Sequence, residues 1–247
     1  MPITPPEDDW NDEPPVRESI AVAYSSRERA VEDWRQRTAW YLRQVGVPGI
    51  FCDKVWADFR LESGKAPALR EARQWSRRRD AGGGLLFSGP VGTGKSLLAA
   101  LCVRDWLRDG RSWSDGDSPR RWYEHGGGDA WEPGILWTSV SDLLRGIRHR
   151  CFDLKQSSEE QEMEILRTVP LLVLDDIGVR ALSEWGHDFL LAAVDARYSE
   201  SRTTIVTSNL DLAGLARVLE ERISSRLAGM CRVVEVGGED MRREGRG

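Results

Sequence analysis

No run of 18 or more apolar residues occurs in the 247-residue chain, so a membrane-spanning helix is not expected. Histidine is scarce, with three residues, and the four cysteines (Cys52, Cys102, Cys151 and Cys231) form no C-x-x-C pair. No histidine lies near enough to a cysteine to suggest a zinc site, so zinc is not expected and four reduced thiols are. The N-terminal "MPITPPEDDWNDEPP" lacks the basic start and apolar centre of a secretory signal, which together with thiol usage points to the cytoplasm. The eleven tryptophans follow no fixed period, so no repeat array is indicated. Positive charge is not in excess, because the formal net charge is −5. Any binding of nucleic acid must therefore rest on local clusters of Lys and Arg.

What is present reads as a globular α/β protein. Hydrophobic residues make up 40% and charged residues 30%. Residues 1–15 are acidic and proline-rich and read as disordered. Apolar residues recur at helical spacing over 16–46, until "GVPG" ends the pattern. A second helix is predicted over 67–80. Thereafter strands at 85–88, 135–139, 171–175, 203–208 and 232–236 alternate with helices at 95–108, 141–150, 159–168 and 185–199, and with short helices up to 227. The strands are short, apolar and unalternating, as in a parallel sheet covered on both faces. Residues 110–134 are broken by Gly, Ser and Pro and read as a surface insertion.

Four stretches carry chemistry. "GPVGTGKS" (89–96) fits G-x-x-x-x-G-K-[ST] between a strand and a helix. Gly89, Pro90, Val91, Gly92, Thr93 and Gly94 form the loop, whose glycines let backbone N–H groups converge on phosphates. Lys95 would reach the terminal phosphates and Ser96 would offer its hydroxyl to Mg²⁺, with Leu97 continuing the helix. "LLVLDDIG" (171–178) puts Asp175 at the end of a buried strand as a Mg²⁺ holder, with Asp176 orienting the attacking water. "TIVTSN" (204–209) brings Asn209 to the same edge, where an amide can hold that water. "LEERISSRLAG" (219–229) sets Arg222 and Arg226 on one helical face, suited to stabilising a transferring phosphoryl group in trans.

With these motifs in order, the chain resembles the AAA+ ATPases, and more narrowly the DnaC-type helicase loaders and their IstB-type relatives. The resemblance covers roughly 49–242 and also rests on "ALREARQW", "LWTSVSDLL" and "TIVTSNLDL". It implies a P-loop αβα sandwich with a parallel five-stranded sheet in the order 5-1-4-3-2, and no C-terminal lid. It makes Lys95 and Ser96 the Walker A pair, Asp175 and Asp176 the Walker B pair, Asn209 sensor 1, and Arg226 the arginine finger with Arg222 beside it. ATP and Mg²⁺ are the implied cofactors, and the ATP site would lie between subunits of a ring or spiral. Many members have Glu where Asp176 stands, so hydrolysis is expected to be slow and stimulated by assembly or DNA. The family's DNA-facing helix falls on "LLRGIRHRCFDLK", which carries Arg145, Arg148, Arg150 and Lys155. In the insertion, Arg120, Arg121, Trp122 and Tyr123 form a second basic and aromatic cluster.

The expected organisation is an acidic tail and helical segment over 1–48, followed by an ATPase domain over 49–247. Residues 16–46 are the natural element for binding a hexameric replicative helicase, unless they pack back on the ATPase domain. The favoured reading is a loader that places such a helicase on single-stranded DNA. The alternatives are an IstB-type regulator of a transposase on duplex DNA, and an ATP-gated scaffold with little hydrolysis.

Overall fold

The computed structural model describes residues 27–61, 64–77, 83–108 and 134–241. The acidic tail, nearly all of the insertion with its Arg120–Tyr123 cluster, and residues 242–247 lie outside them.

Apolar periodicity sets the elements. Helices α1 (Arg27–Gln44), the single-turn α2 (Gly49–Cys52) and α3 (Ala66–Arg77) precede the first strand, β1 (Gly84–Ser88). There follow α4 (Lys95–Arg108), β2 (Ile135–Ser139), α5 (Val140–Arg148), a π-helical turn at His149–Asp153, and α6 (Glu159–Thr168). The chain continues through β3 (Leu171–Ile177), α7 (Glu184–Ser199), β4 (Thr203–Ser208), α8 (Leu212–Leu219), α9 (Glu221–Met230) and β5 (Cys231–Glu235). All strand pairs are parallel, in the order β2-β3-β4-β1-β5. That is the 5-1-4-3-2 arrangement expected from the resemblance.

Side chains alternate across the sheet and build two cores. Leu85, Phe87, Val173 and Ile205 pack with α1, α3 and α4 on one face. Leu86, Leu172, Leu174 and Val206 pack with the α5–α9 side on the other. The result is a three-layer αβα sandwich. Arg197 of α7 is 1% exposed and is satisfied by oxygen atoms alone: its guanidinium donates to Leu166 O, Val169 O, Thr203 O and Thr204 Oγ1. Burial pushes its pKa down to about 9, yet the fork still ties the ends of α6 and β4 together.

The structure departs from the sequence expectations at three places. Helix α5 stops at Arg148, two residues early, where the π turn takes over. Strand β3 runs two residues past Asp175, because a bulge lets the chain continue. The end of α1 is not a separate appendage: Ala39, Leu42, Val45 and Val47 belong to the same core as β1, and Trp137 N donates to Val45 O at 2.8 Å. No disulfide joins any of the four cysteines. Among the described residues no helix is long and apolar enough to cross a membrane.

Candidate nucleotide site

The C-terminal ends of β1, β4 and β3 lie side by side, and each carries one of the motifs. This edge is where open α/β sheets hold ligands. The loop after β1 turns on Gly92 (φ 83°) and Gly94 (φ 100°), in left-handed conformations that a side chain would strain. Helix α4 then begins at Lys95, so its positive end faces the loop. Lys95 is 5% exposed, and its ammonium donates to Gly89 O at 2.9 Å and Pro90 O at 2.6 Å. Thr93 Oγ1 closes the turn on Pro90 O at 3.0 Å.

Ser96 Oγ donates to Asp175 Oδ1 at 2.9 Å. The P-loop and the end of β3 therefore meet through one hydroxyl–carboxylate contact. This pair supplies the hard oxygen ligands that Mg²⁺ prefers, so the residues present fit that ion. Burial pushes the Asp175 carboxyl above the usual aspartate value, against hydrogen bonds from Thr207 and Ser96 that favour the charged form.

Between Leu174↔Val206 and Ile177↔Ser208 the β3–β4 register slips, so Asp175 and Asp176 together face Thr207 alone. Thr207 Oγ1 donates to Asp175 Oδ1 at 2.5 Å and accepts the Asp176 N–H at 2.9 Å. Asp176 takes a left-handed φ of 57° and is exposed, while Asp175 is half-buried. At the bulge the two adjacent carboxylates thus differ in burial, Asp175 being held by Ser96 and Thr207 while Asp176 is open to solvent. Asn209 follows β4 directly and is half-buried. Its neighbour Ser208 fixes the turn, donating to Ile177 O and accepting from Leu210 N at 3.0 Å each.

The chain after β5 returns to this edge. Met241 N donates to Gly92 O at 2.9 Å, and the Asp240 carboxylate lies against the Gly92 Cα. Fully buried Lys65 donates to Glu239 O at 3.1 Å. None of Thr207, Lys65 and Asp240 stood out in the sequence. For Thr207 there was a signal, a hydroxyl that follows the apolar Ile205–Val206 pair at the C-terminal end of β4.

Arg222 and Arg226 do share a face of α9, and both reach Asp195 of α7. Of the cations after β2, Arg148 and Lys155 are exposed, and Arg145 is exposed and paired with Asp142. Arg150 is engaged elsewhere: it grips Glu162 bidentately at 2.6 and 2.7 Å.

Comparison with known proteins agrees with this architecture. A family model described as "IstB-like ATP binding protein" matches residues 133–247. The replicative helicase loader DnaC of Escherichia coli K12 is 27% identical over 220 residues, covering 88% of this chain and 78% of that protein. The chain is thus similar in sequence to DnaC and, over its C-terminal part, to IstB-like ATP-binding proteins. The crystal structure of the DnaC helicase loader superposes with a TM-score of 0.54 at 22% identity, over 72% of this chain and 92% of that one. That of DnaI gives 0.59 at 22% identity, over 78% and 96%. The P-loop geometry, a glycine turn running into the start of α4, is suited to holding a nucleotide phosphate.

Proposed function

We propose that this chain is an ATP-dependent loader that binds a hexameric replicative helicase and helps place it on single-stranded DNA. The reading is carried by one conjunction: a complete phosphate-loop and carboxylate edge in a chain related to DnaC over most of its length.

In this reading Gly89–Leu97 cradle the nucleotide and Lys95 leaves its loop carbonyls for the terminal phosphates. Ser96 and Asp175 hold Mg²⁺, directly or through water. Bound Mg²⁺ neutralises charge on the phosphates. Asp176, set apart from the metal carboxylate by the bulge, orients the attacking water, and Asn209 holds it as an amide that takes no proton. Arg226, with Arg222, reaches the nucleotide of the next subunit in a ring or spiral. Arg145, Arg148 and Lys155 follow the DNA backbone with salt-dependent, sequence-tolerant contacts. Arg150 supports them through the π turn. The helicase contact falls on residues 16–46, on the part of that segment outside the core.

The test is size-exclusion chromatography with light scattering, mixing the chain, ATP and the hexameric helicase of the same cell. A co-eluting complex that disappears when residues 1–26 are removed supports the reading and locates the contact. No complex with the intact chain overturns it. The IstB-like family match favours one second reading, an ATPase that regulates a transposase. Large ATP-dependent assemblies on duplex DNA, without a helicase complex, would support that one.

A further inference from the structure

The carboxylate of Asp195 receives both arginines of α9. Its Oδ1 accepts Arg226 Nε at 3.0 Å and its Oδ2 accepts Arg222 Nη2. Three residues on, the Tyr198 ring lies beneath the Arg226 guanidinium, 4.6 Å from centroid to Cζ. Gly229 also lies against the ring, where a Cβ would come within 2.8 Å of it. One turn of α7 and a bare stretch of α9 thus form a rack for one guanidinium.

The choice of nitrogen matters. Asp195 takes Arg226 by Nε, the inner donor, which leaves the two terminal nitrogens as a planar fork for a phosphate. The Arg226 side chain is 37% exposed and that of Asp195 is 24% exposed, so the fork is at the surface and its anchor beneath it. Two arginines against one carboxylate leave the cluster one positive charge in excess, of the sign a phosphoryl group attracts. An unanchored arginine samples many rotamers, and fixing it before the subunits meet is preorganisation.

We infer that Asp195 is the positioning residue of the trans-acting arginine pair, with the Tyr198 ring as its shelf. The inference rests on the reading of Arg226 and Arg222 as groups that act on a neighbour's nucleotide. Asp195 touches no nucleotide; it sets where the guanidinium points when subunits assemble.

The test uses the full chain. ATP turnover is measured across protein concentration, and nucleotide affinity at dilution. Asp195→Asn should lower kcat of the assembled protein on the order of 10- to 100-fold, the cost of a misplaced group. KM, the affinity of the dilute subunit and the thermal midpoint should stay unchanged, and Asp195→Glu should restore part of the rate. Arg226→Ala should cost on the order of 10³-fold, and the double variant no more than that single one. Tyr198→Leu, which changes no charge, should give a smaller loss in kcat and serves if the Asn variant folds poorly. An assembled rate that is unchanged or raised in Asp195→Asn overturns the inference, because Asp195 would then be a bystander or a restraint. Losses that multiply in the double variant overturn it too, since Asp195 would not act through Arg226. Should Arg226→Ala and Arg222→Ala both keep the assembled rate, the trans-arginine reading fails first and takes the inference with it.

Discussion

A single hydroxyl, that of Thr207, organises both acidic residues: it donates to the Asp175 carboxylate and accepts the Asp176 N–H. A cation is held by Asp175 only when the carboxyl is ionised, and burial pushes that carboxyl's pKa upward. Mg²⁺-dependent ATP binding should therefore be complete above the raised pKa and lost as pH falls through it, earlier than an ordinary aspartate would give. Thr207→Val removes a donor from the charged form, so the midpoint should move further up, as nucleotide titrations across pH would read. Stability runs the other way. A group whose folded-state pKa is raised makes the fold less stable once it ionises, so Asp175→Asn should hold or raise the thermal midpoint while abolishing the Mg²⁺ dependence. An equal loss of stability and binding in that variant would show a structural role instead. For Lys95→Ala the expectation is simpler. The only side-chain cation starting α4 disappears, and binding of a fluorescent ATP analogue should fall below detection.

The elements differ in how far their residues declared them. Helix α4 and strands β1, β2 and β4 follow from apolar runs and the glycine turn between them, and their bounds agree with the pattern within a residue. The bulge in β3 was not legible, because "LDDI" reads equally as a strand end, and only Thr207 on the neighbouring strand decides it. The π turn was hidden for a similar reason. Arg150 looks like one more cation in a basic helix end, but its partner, Glu162, lies a helix away and is buried. Burial works against the charge on Glu162, but hydrogen bonds from Arg150 and Ser157 outweigh it and hold the carboxyl below the usual glutamate range. The stability this supplies is present above the ordinary glutamate pKa and lost as pH falls through the depressed one. Glu162→Gln should thus cost about 1–3 kcal/mol near neutral pH, less than a fully buried pair because Arg150 is partly exposed. The same change should weaken single-stranded DNA binding, although Glu162 itself is buried, since the turn it anchors lies between Arg148 and Lys155. Melting and fluorescence anisotropy on one preparation would read both.

At the scale of the whole molecule, the question is where a partner-binding front end could stop and the ATPase core begin. Composition suggests a break at 48, after the glycine and proline of "GVPG". Packing moves it back. Thr38, Ala39, Leu42, Val45 and Val47 are all buried, and Val45 O accepts a hydrogen bond from the edge strand β2. Removing them strips the cover from one end of a five-stranded sheet. Burial of a Leu or Val side chain contributes roughly 1.5–3 kcal/mol, so Leu42, Val45 and Val47 together contribute on the order of 4.5–9 kcal/mol. That is comparable with the whole stability of a typical domain. A chain lacking residues 1–48 should therefore melt far below the intact protein or fail to fold, whereas a chain lacking 1–26 should melt with it. The contrast decides how partner-binding data are to be read. Lost helicase binding in the longer deletion reports an unfolded ATPase, and only the shorter deletion tests the front end. If both deletions melt with the intact chain, α1 is a detachable arm, and its contact with β2 does not hold the fold together.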